Sequence, residues 1–581
     1  MTQTRMYKFL CEDSNYSEWS ILDEASLEEV FHNKKSHYTS SIVEKFSKFN
    51  PVQHRLFNQD VFLFDDIHNI KLQHSTLKTM KYIPGVLKLE GNQTYGKCKD
   101  KYYYRCFPDD KRFPEFLVPY KITKKSFSKK QINIFVLFTF KEWMDKHPIG
   151  TLCNTIGTVD ILVNFYEYQL YCKSLYASIQ DFKKATVKAL KQRSEEEYIS
   201  DIKENNNVED RQDWKVFSID PLKSKDFDDA FSVKEIQENK YLVSIYISNV
   251  ALWMESMQLW DSFSERISTI YLPDQKRPML PTILSDCLCS LVENEQRFAF
   301  TMDLIIINNK ITDVSFKNTL IKVYKNFRYE EKELTEFQDY KILFDLTIEL
   351  RKQIKNFYKI KDSHDVVGFL MVLMNYYSAM EMMKHNSGIY RSVKLTSEVR
   401  IPDDLPESVF KFLKGWNSTG GKYLLFDDME KHEILNLDSY IHITSPIRRL
   451  VDLLNIIQFQ HNNKLVAFTD SSKAFYDKWM SRISYINTTM RSIRRVQCDC
   501  SLLDLCVNKP EFMEKIYTGY MFDRIVRTDG LYQVFVHIPE INMTTRYTSI
   551  EELEDYKSGQ FKLYLFKDEH NIKQKIRLMI V

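Results

Sequence analysis

Four carboxylates fall within ten residues, at Asp220, Asp226, Asp228 and Asp229, directly after an apolar strand that ends at Ile219. Pro221 breaks that strand, so the loop can bend the later three back toward the first. Four negative charges this close repel strongly and coexist at neutral pH only around something cationic. Hard oxygen ligands without His or Cys favour Mg²⁺ or Mn²⁺. Magnesium combines a few carboxylates with substrate phosphate, the arrangement used for phosphodiester cleavage. A calcium loop of the EF-hand kind is disfavoured, because the D-x-D-x-D-G spacing with a closing Glu is absent. A solvated acidic turn is the competing reading.

A second segment runs from Tyr440 to Leu454. Ser445 followed by Pro446 predicts a helix start, with Ser capping and Pro in the first helical position. Arg448 and Arg449 then fall in the first turn, where cations oppose the helix dipole. A bound phosphate would justify them, since helix N-termini attract anions. Asp452 lies one turn after Arg448 and is expected to orient it. A surface Arg–Asp pair is the alternative.

At 581 residues the chain has room for about three to five domains. Apolar residues make up 44% and charged residues 28%, which suits a chain with real cores. The 81 basic residues nearly balance the 79 acidic ones, so a basic surface overall is excluded, while a local basic channel is not. Ten cysteines are scattered without any C-x-x-C, and the two C-x-C pairs, Cys287/Cys289 and Cys498/Cys500, read as small buried hydrophobes. No closed set of zinc ligands is apparent. No secretory leader is apparent at the N-terminus, and no run of about 18 apolar residues suggests a membrane span. A cytoplasmic protein is expected, with a nuclear one as the alternative.

Residues 1–180 read as mostly β. Aromatic residues interleave with Lys and Arg, as in the run from Lys101 to Phe107, which suits barrels that stack bases, although most rings should fill cores. Residues 182–212 read as a basic helix passing into a polar connector. From Asp213 to about Pro510 the pattern is α/β, with a long helix over 362–385 that is apolar on more than one face and so central to its domain. The last 70 residues or so return to β, with strands expected near 517–525, 532–538 and 561–566.

The two motifs together resemble the catalytic domain of the ribonuclease II/ribonuclease R family, the RNB domain. Its D-x5-D-x-D-D is matched by Asp220, Asp226, Asp228 and Asp229, and its H-x-T-S-P-I-R-R-Y-x-D by His442, Thr444, Ser445, Pro446, Ile447, Arg448, Arg449 and Asp452. Between them, Tyr271 to Leu291 is similar to the family's Y-L-P…P-M-L-P…L-S…C-S-L, which accounts for Cys287 and Cys289 without a metal. Residues 107–114, with Trp143, Pro148 and Gly150, resemble the second cold-shock barrel of the eukaryotic exosome-nuclease branch, and the segment from Arg55 weakly resembles a turn of the first. With little before it, the endonucleolytic PIN domain of some relatives is expected to be absent.

The resemblance implies a multidomain α+β chain: an RNB catalytic α/β domain flanked by OB-type β-barrels, two N-terminal and cold-shock-like, one C-terminal. The implied boundaries are 1–85 and 86–180 for the first barrels, 181–212 for a linker, 213–510 for the RNB domain and 511–581 for the last barrel. It implies a processive hydrolytic 3′-to-5′ exoribonuclease on single-stranded RNA that releases nucleoside 5′-monophosphates, magnesium-dependent with manganese as a possible substitute. Asp220, Asp226 and Asp229 would hold the metal, with Asp228 completing the site and positioning water. Arg448 would neutralise charge developing on the scissile phosphate. Tyr329 would stack on terminal bases, Tyr271 would face the RNA further along, and Arg391, Arg449 and Ser445 would contact it. A monomer is expected, with an RNA-decay complex or helicase as partner.

The sequence also departs from the family. Its I-A-D reads Ile247, Ser248 and Asn249, and its E-E-[FW]-M reads Gly368, Phe369, Leu370 and Met371. The Tyr after R-R is Leu450, the later H-R is Ile456 and Ile457, and a downstream helix acid is matched only by Asp499. These losses bear on rate and on ribose selectivity. They leave open a catalytically weak or inactive RNA-binding protein on the same scaffold, acting in translation control or RNA decay, or a pure scaffold for a decay complex.

Overall fold

The computed structural model describes all residues except 1–4, 36–45, 67–68, 123–130, 353–358, 395–400, 403, 417–420, 528–529 and 569–572. The chain divides into two compact units, each discontinuous in sequence: Met1–Tyr176, Asp499–Ile516 and Lys562–Val581 form one, and Ala177–Cys498 with Tyr517–Phe561 the other.

The first unit opens with β1 (Met6–Cys11), β2 (Trp19–Asp23), β3 (Glu29–His32), β4 (Val61–Asp66) and β5 (Asn69–His74), in the sheet order β3-β2-β1-β4-β5. A second sheet follows, from β6 (Ile83–Leu87), β7 (Lys97–Cys98), β8 (Lys101–Pro108), β9 (Phe116–Tyr120), β10 (Ile134–Glu142) and β11 (Ile149–Thr158). Its order is β6-β10-β11-β9-β8-β7, and the additional pairing of β6 with β8 closes five of these strands into a ring, as an OB-type barrel requires. The aromatic run of β8 shows why sequence alone could not separate core rings from surface rings. Alternate side chains of a strand face opposite ways, so Tyr104 and Cys106 are buried while Tyr103, Arg105 and Phe107 between them are only partly buried. Phe9, Phe57, Phe62, Phe116 and Phe138 all lie in one continuous core.

Ring closure in the second sheet depends on Gly85. A Cβ there would stand 2.9 Å from the Phe107 carbonyl oxygen and 2.9 Å from Cys106 Sγ, where β6 crosses β8. Gly85→Val is therefore expected to destabilise this unit by about 2 kcal/mol or more through overpacking against backbone. A drop in the unfolding midpoint of the purified variant checks this, and an unchanged midpoint contradicts it.

In the second unit, the stretch read as a basic helix passing into a polar connector holds that helix, α1 (Gln180–Gln192), and a second one, α2 (Glu195–Asn205), where the connector was expected. The second starts on a capping box, in which Ser194 and Glu197 satisfy each other's backbone N–H groups. A closed barrel follows, from β12 (Val208–Asp220), β13 (Asp229–Gln237), β14 (Lys240–Ser248), β17 (Gln296–Ile307) and β18 (Lys310–Arg328), with the small ladder of β15 (Ile270–Tyr271) and β16 (Lys276–Arg277) between β14 and β17 in sequence. The barrel closes by parallel pairing of β12 with β18, which sets Asp220 opposite Arg328. The antiparallel neighbour β13 begins at Asp229, paired with Ile247. Both ends of the acidic loop therefore sit at the same rim of the barrel.

The central helix α3 (Ser363–Met383) starts on Asp362, whose side chain accepts from the Asp365 N–H at 3.0 Å. Val366, Phe369, Leu370, Leu373, Met374 and Met382 are buried on several of its faces. It is long and apolar enough to cross a bilayer, and 56% of its apolar window is buried in protein, as expected of a core helix. The two-stranded ladder of β19 (Ile389–Ser392) and β20 (Lys422–Leu425) follows, then α4 (Leu450–Asn462) and α5 (Ile483–Asn508). The chain ends in β21 (Ile516–Val526), β22 (Tyr532–Ile538), β23 (Met543–Ser549), β24 (Ser558–Asp568) and β25 (Lys573–Ile580), in the sheet order β23-β22-β21-β24-β25.

Candidate active site

The acidic loop 221–228 is held at the barrel rim by backbone and by Ser290. Ser290 Oγ accepts from the Phe227 N–H at 2.9 Å and donates to the Lys225 carbonyl at 3.0 Å, and the Leu291 N–H donates to the Phe227 carbonyl at 3.0 Å. The Ser248 N–H donates to the Asp228 carbonyl at 2.8 Å. Tyr329, just past β18, donates its N–H to the Asp220 carbonyl at 3.2 Å, so the parallel register alone brings this ring to the acids.

These elements enclose a cavity of ≈ 1000 Å³ lined by Asp220, Asp226, Asp228, Asp229, Tyr271, Tyr329, Ser445, Arg448 and Arg449. Five carboxylates and five Lys or Arg side chains face it, which matches a site that handles a metal and a phosphate together. Arg391 is not among the lining residues. Its guanidinium donates to the Gly421 carbonyl and lies 5.1 Å from the centre of the Tyr423 ring. Asp499, on α5, does not line the cavity either.

Each aspartate has a distinct environment. Asp228 is 3% exposed; its Oδ1 accepts from the Ile447 N–H at 3.0 Å and its Oδ2 from Arg448 Nε at 3.0 Å. Burial pushes its carboxyl up to about 7, against the pull of Arg448 and the Ile447 N–H. Asp226 meets Lys276 Nζ at 3.2 Å and accepts from the Tyr271 hydroxyl at 3.0 Å. Asp220 is pushed up to about 6, chiefly by burial, and its Oδ2 is buried without a hydrogen-bond partner. Asp229 is held well above the usual carboxylate range by burial and by its neighbours Asp220 and Asp228.

Among the described residues, no three His, Cys, Asp or Glu side chains stand grouped so as to hold a metal ion. Asp226 and Asp228 are turned toward Lys276 and Arg448, which supply positive charge instead. The orphaned Asp220 oxygen and the mutual repulsion of Asp220 and Asp229 nonetheless fit a hard cation, because an all-oxygen donor set left with uncompensated charge is what Mg²⁺ or Mn²⁺ satisfies.

The expected helix start at Ser445 is corrected. The helix α4 begins at Leu450, and residues 445–449 form a turn in which the Arg448 and Arg449 N–H groups donate to the Ser445 carbonyl at 3.2 and 3.0 Å. The cause is the neighbouring segment 267–269, which pairs with Arg449 through an isolated β-bridge at Ser268. The Thr269 N–H donates to the Arg448 carbonyl and the Leu450 N–H to the Ile267 carbonyl, both at 2.9 Å, and this extends the backbone where a helix would begin. Asp452 consequently orients Arg449, at 2.9 Å, and not Arg448, while also accepting from the Ser445 N–H at 2.8 Å. Arg448 is instead braced by Asp228 and by Ser445 Oγ at 3.1 Å.

Three of the departures now have a structural account. Asn249 is buried, caps the short helix Val250–Ser256 and donates to Asn318 Oδ1 at 2.9 Å. Phe369 and Ile456 are fully buried. Val367 and Met371 give the α3 side of the cavity an apolar stretch, with Asn375 next along the helix. Sequence reasoning assigned no role to Lys276, Asn375, Tyr440 or His442, all of which line the cavity. For His442 a signal was present, since it opens the second motif. Lys276 reaches Asp226 only because the β15–β16 ladder folds back on itself, which spacing does not reveal. All ten cysteines are free.

The RNB domain family model matches residues 208–335 of the chain. Among curated proteins, the chain is similar to Ribonuclease R of Ureaplasma parvum, 33% identical over 135 residues, which is 23% of this chain and 18% of that protein. It is also similar to Ribonuclease R 2 of Lactococcus lactis, 22% identical over 485 residues, or 67% of this chain and 70% of that protein. Among solved structures, it resembles Mycoplasma genitalium RNase R in complex with ribose-methylated single-stranded RNA, with a TM-score of 0.66 at 15% identity over 99% of this chain and 100% of that one. Yeast Ssd1, a pseudonuclease, aligns with a TM-score of 0.57 at 12% identity over 96% of this chain and 80% of that one. At these identities the structural likenesses establish the fold alone: a mixed α/β unit with OB-type barrels.

Proposed function

We propose that this chain, a member of the RNB-domain family, is a processive hydrolytic 3′-to-5′ exoribonuclease that releases nucleoside 5′-monophosphates from single-stranded RNA. The observation that carries the reading is the convergence of Asp220, Asp226, Asp228, Asp229 and Arg448 on one cavity that Tyr271 and Tyr329 also line. Asp220 and Asp229, with Asp226 and Asp228, would hold Mg²⁺ or Mn²⁺. When bound, such a cation supplies charge neutralisation at the phosphate and a more acidic water. Arg448, fixed by Asp228 and Ser445, presents its guanidinium where charge develops on the scissile phosphate. The Tyr329 ring stacks on the imidazole of His364 at 3.6 Å, which fixes its plane, and a terminal base would stack on its cavity side. Arg449, Ser445 and Tyr271 line the path of the backbone.

One observation favours a second reading, an RNA-binding protein without turnover. Lys276 and Tyr271 already contact one oxygen each of Asp226, so the charge of this carboxylate is partly offset without a metal. A comparison of linear and circular single-stranded RNA of one sequence, with Mg²⁺, tests the proposal. The linear RNA is expected to be degraded and the circle to stay intact. Cleavage of the circle would replace the exonuclease with an endonuclease, and two intact RNAs that both bind would favour the second reading.

A further inference from the structure

His442 lines the cavity, and both of its described hydrogen bonds fall on one ring nitrogen. Nδ1 stands 2.8 Å from the Tyr423 hydroxyl and 3.3 Å from an Arg449 NH1 nitrogen. A guanidinium donates and never accepts, so Nδ1 must be the acceptor, and the neutral ring then carries its proton on Nε2. Burial, together with Arg449, Arg391, His432 and Arg448, holds the ring well below its ordinary pKa, consistent with the neutral form.

The arrangement is braced from behind. Tyr423 is clamped by Asn487, which accepts from its N–H at 2.8 Å and donates to its carbonyl at 2.8 Å. Asn455 donates to the His442 carbonyl at 2.9 Å, and the Asn375 side chain accepts from the Ile443 N–H at 2.9 Å. Among the described residues, no protein group bonds Nε2. On the Nδ1 side, Arg449 Nε is buried and has no hydrogen-bond partner.

We infer that His442, through its Nε2–H, donates a hydrogen bond to a backbone phosphate oxygen of the bound nucleic acid. A phosphate oxygen is the fitting acceptor because the same wall carries Arg448 and Arg449, so an anion is favoured over a neutral base edge. The inference rests on the RNA-binding part of the proposed function. Tyr423 acts as a positioning residue, setting the tautomer without touching the ligand.

Two measurements test it. In the full chain labelled with ¹⁵N-histidine, the His442 signal, assigned by its loss in His442→Gln, is expected to report the neutral Nε2–H form. An Nδ1–H tautomer or an imidazolium would overturn the inference. Second, the affinity for a 5′-labelled single-stranded oligoribonucleotide is measured in EDTA, where no turnover intervenes. His442→Asn can replace only the Nδ1 acceptor and is expected to bind about 10-fold more weakly, the loss of one charge-assisted hydrogen bond. His442→Gln places an amide donor near the Nε2 position and is expected to restore most of that loss. Wild-type affinity in His442→Asn, or equal weakening in both variants, would overturn the inference while leaving the exonuclease reading intact. Failure of the wild type itself to bind would overturn both.

Discussion

Asp228→Asn is expected to abolish RNA hydrolysis, with the single-turnover rate falling at least about 10²–10³-fold, while affinity for single-stranded RNA in EDTA changes little. The reason lies in the two bonds this carboxylate accepts. It holds Arg448 Nε at 3.0 Å and the Ile447 N–H at 3.0 Å, in a position 3% exposed. An asparagine can accept only one of the two with its oxygen and must turn its NH₂ toward the other donor. Either choice releases Arg448 or the turn that carries it. Affinity is spared because Tyr271, Tyr329 and Arg449 keep their own supports. A variant that hydrolyses RNA at the wild-type rate would contradict this role for Asp228, and one that loses RNA affinity in parallel would point to local unfolding.

The largest effect on stability is expected away from the cavity, inside the barrel. Arg211 is 1% exposed, and its guanidinium donates to Asp303 at 2.9 and 2.6 Å and to Glu209 at 2.8 Å, while it lies 4.1 Å from the centre of the Trp214 ring. Ser244 donates to Asp303 at 2.6 Å, and Lys317 pairs with it at 3.2 Å. The cluster thus joins β12, β14, β17 and β18. Asp303→Ala leaves a buried cation without its bidentate partner and is expected to cost about 3–5 kcal/mol, read as a lower urea midpoint. The double variant Arg211→Met/Asp303→Leu, which removes both charges, is expected to recover much of the loss. Burial raises the Asp303 carboxyl, but the bonds from Arg211 and Ser244 outweigh it and hold it below its ordinary value. A carboxyl that titrates lower when folded adds stability that is full above the unfolded pKa of about 3.9, and that is lost as the pH falls through the lower folded value. The wild type and Asp303→Ala should therefore converge in stability under strong acid. A gap of constant size down to low pH would contradict the ion-pair explanation.

The acidic loop was legible in the sequence because its logic is local. A strand that ends at Ile219, a proline and four aspartates leave few alternatives, and the barrel register then set Asp220 and Asp229 on one rim. The central helix over 362–385 was legible for the same reason, from its unbroken apolar pattern. What escaped the sequence was set by partners distant along the chain. The Ser445–Pro446 signal has the composition of a helix start, yet Ile267 and Thr269 pair with residues 448–450 and delay the helix until Leu450. That shift turns Arg449 toward Asp452 and frees Arg448 for Asp228, reversing the pairing that i,i+4 spacing suggests. The contacts of Lys276 and Tyr271 with Asp226, and the pairing that sets Arg391 against Tyr423 and not among the residues that line the cavity, follow from how the two small ladders fold, which no spacing rule encodes.

The most direct test of the central claim is a time course on 5′-labelled single-stranded RNA with Mg²⁺, with the released products identified by mass. The expected result is a ladder of labelled RNAs that shortens from the 3′ end while nucleoside 5′-monophosphates accumulate, and that stops when the metal is chelated. RNA that binds tightly but stays full length, with no mononucleotide released in Mg²⁺ or Mn²⁺, would contradict the exoribonuclease reading.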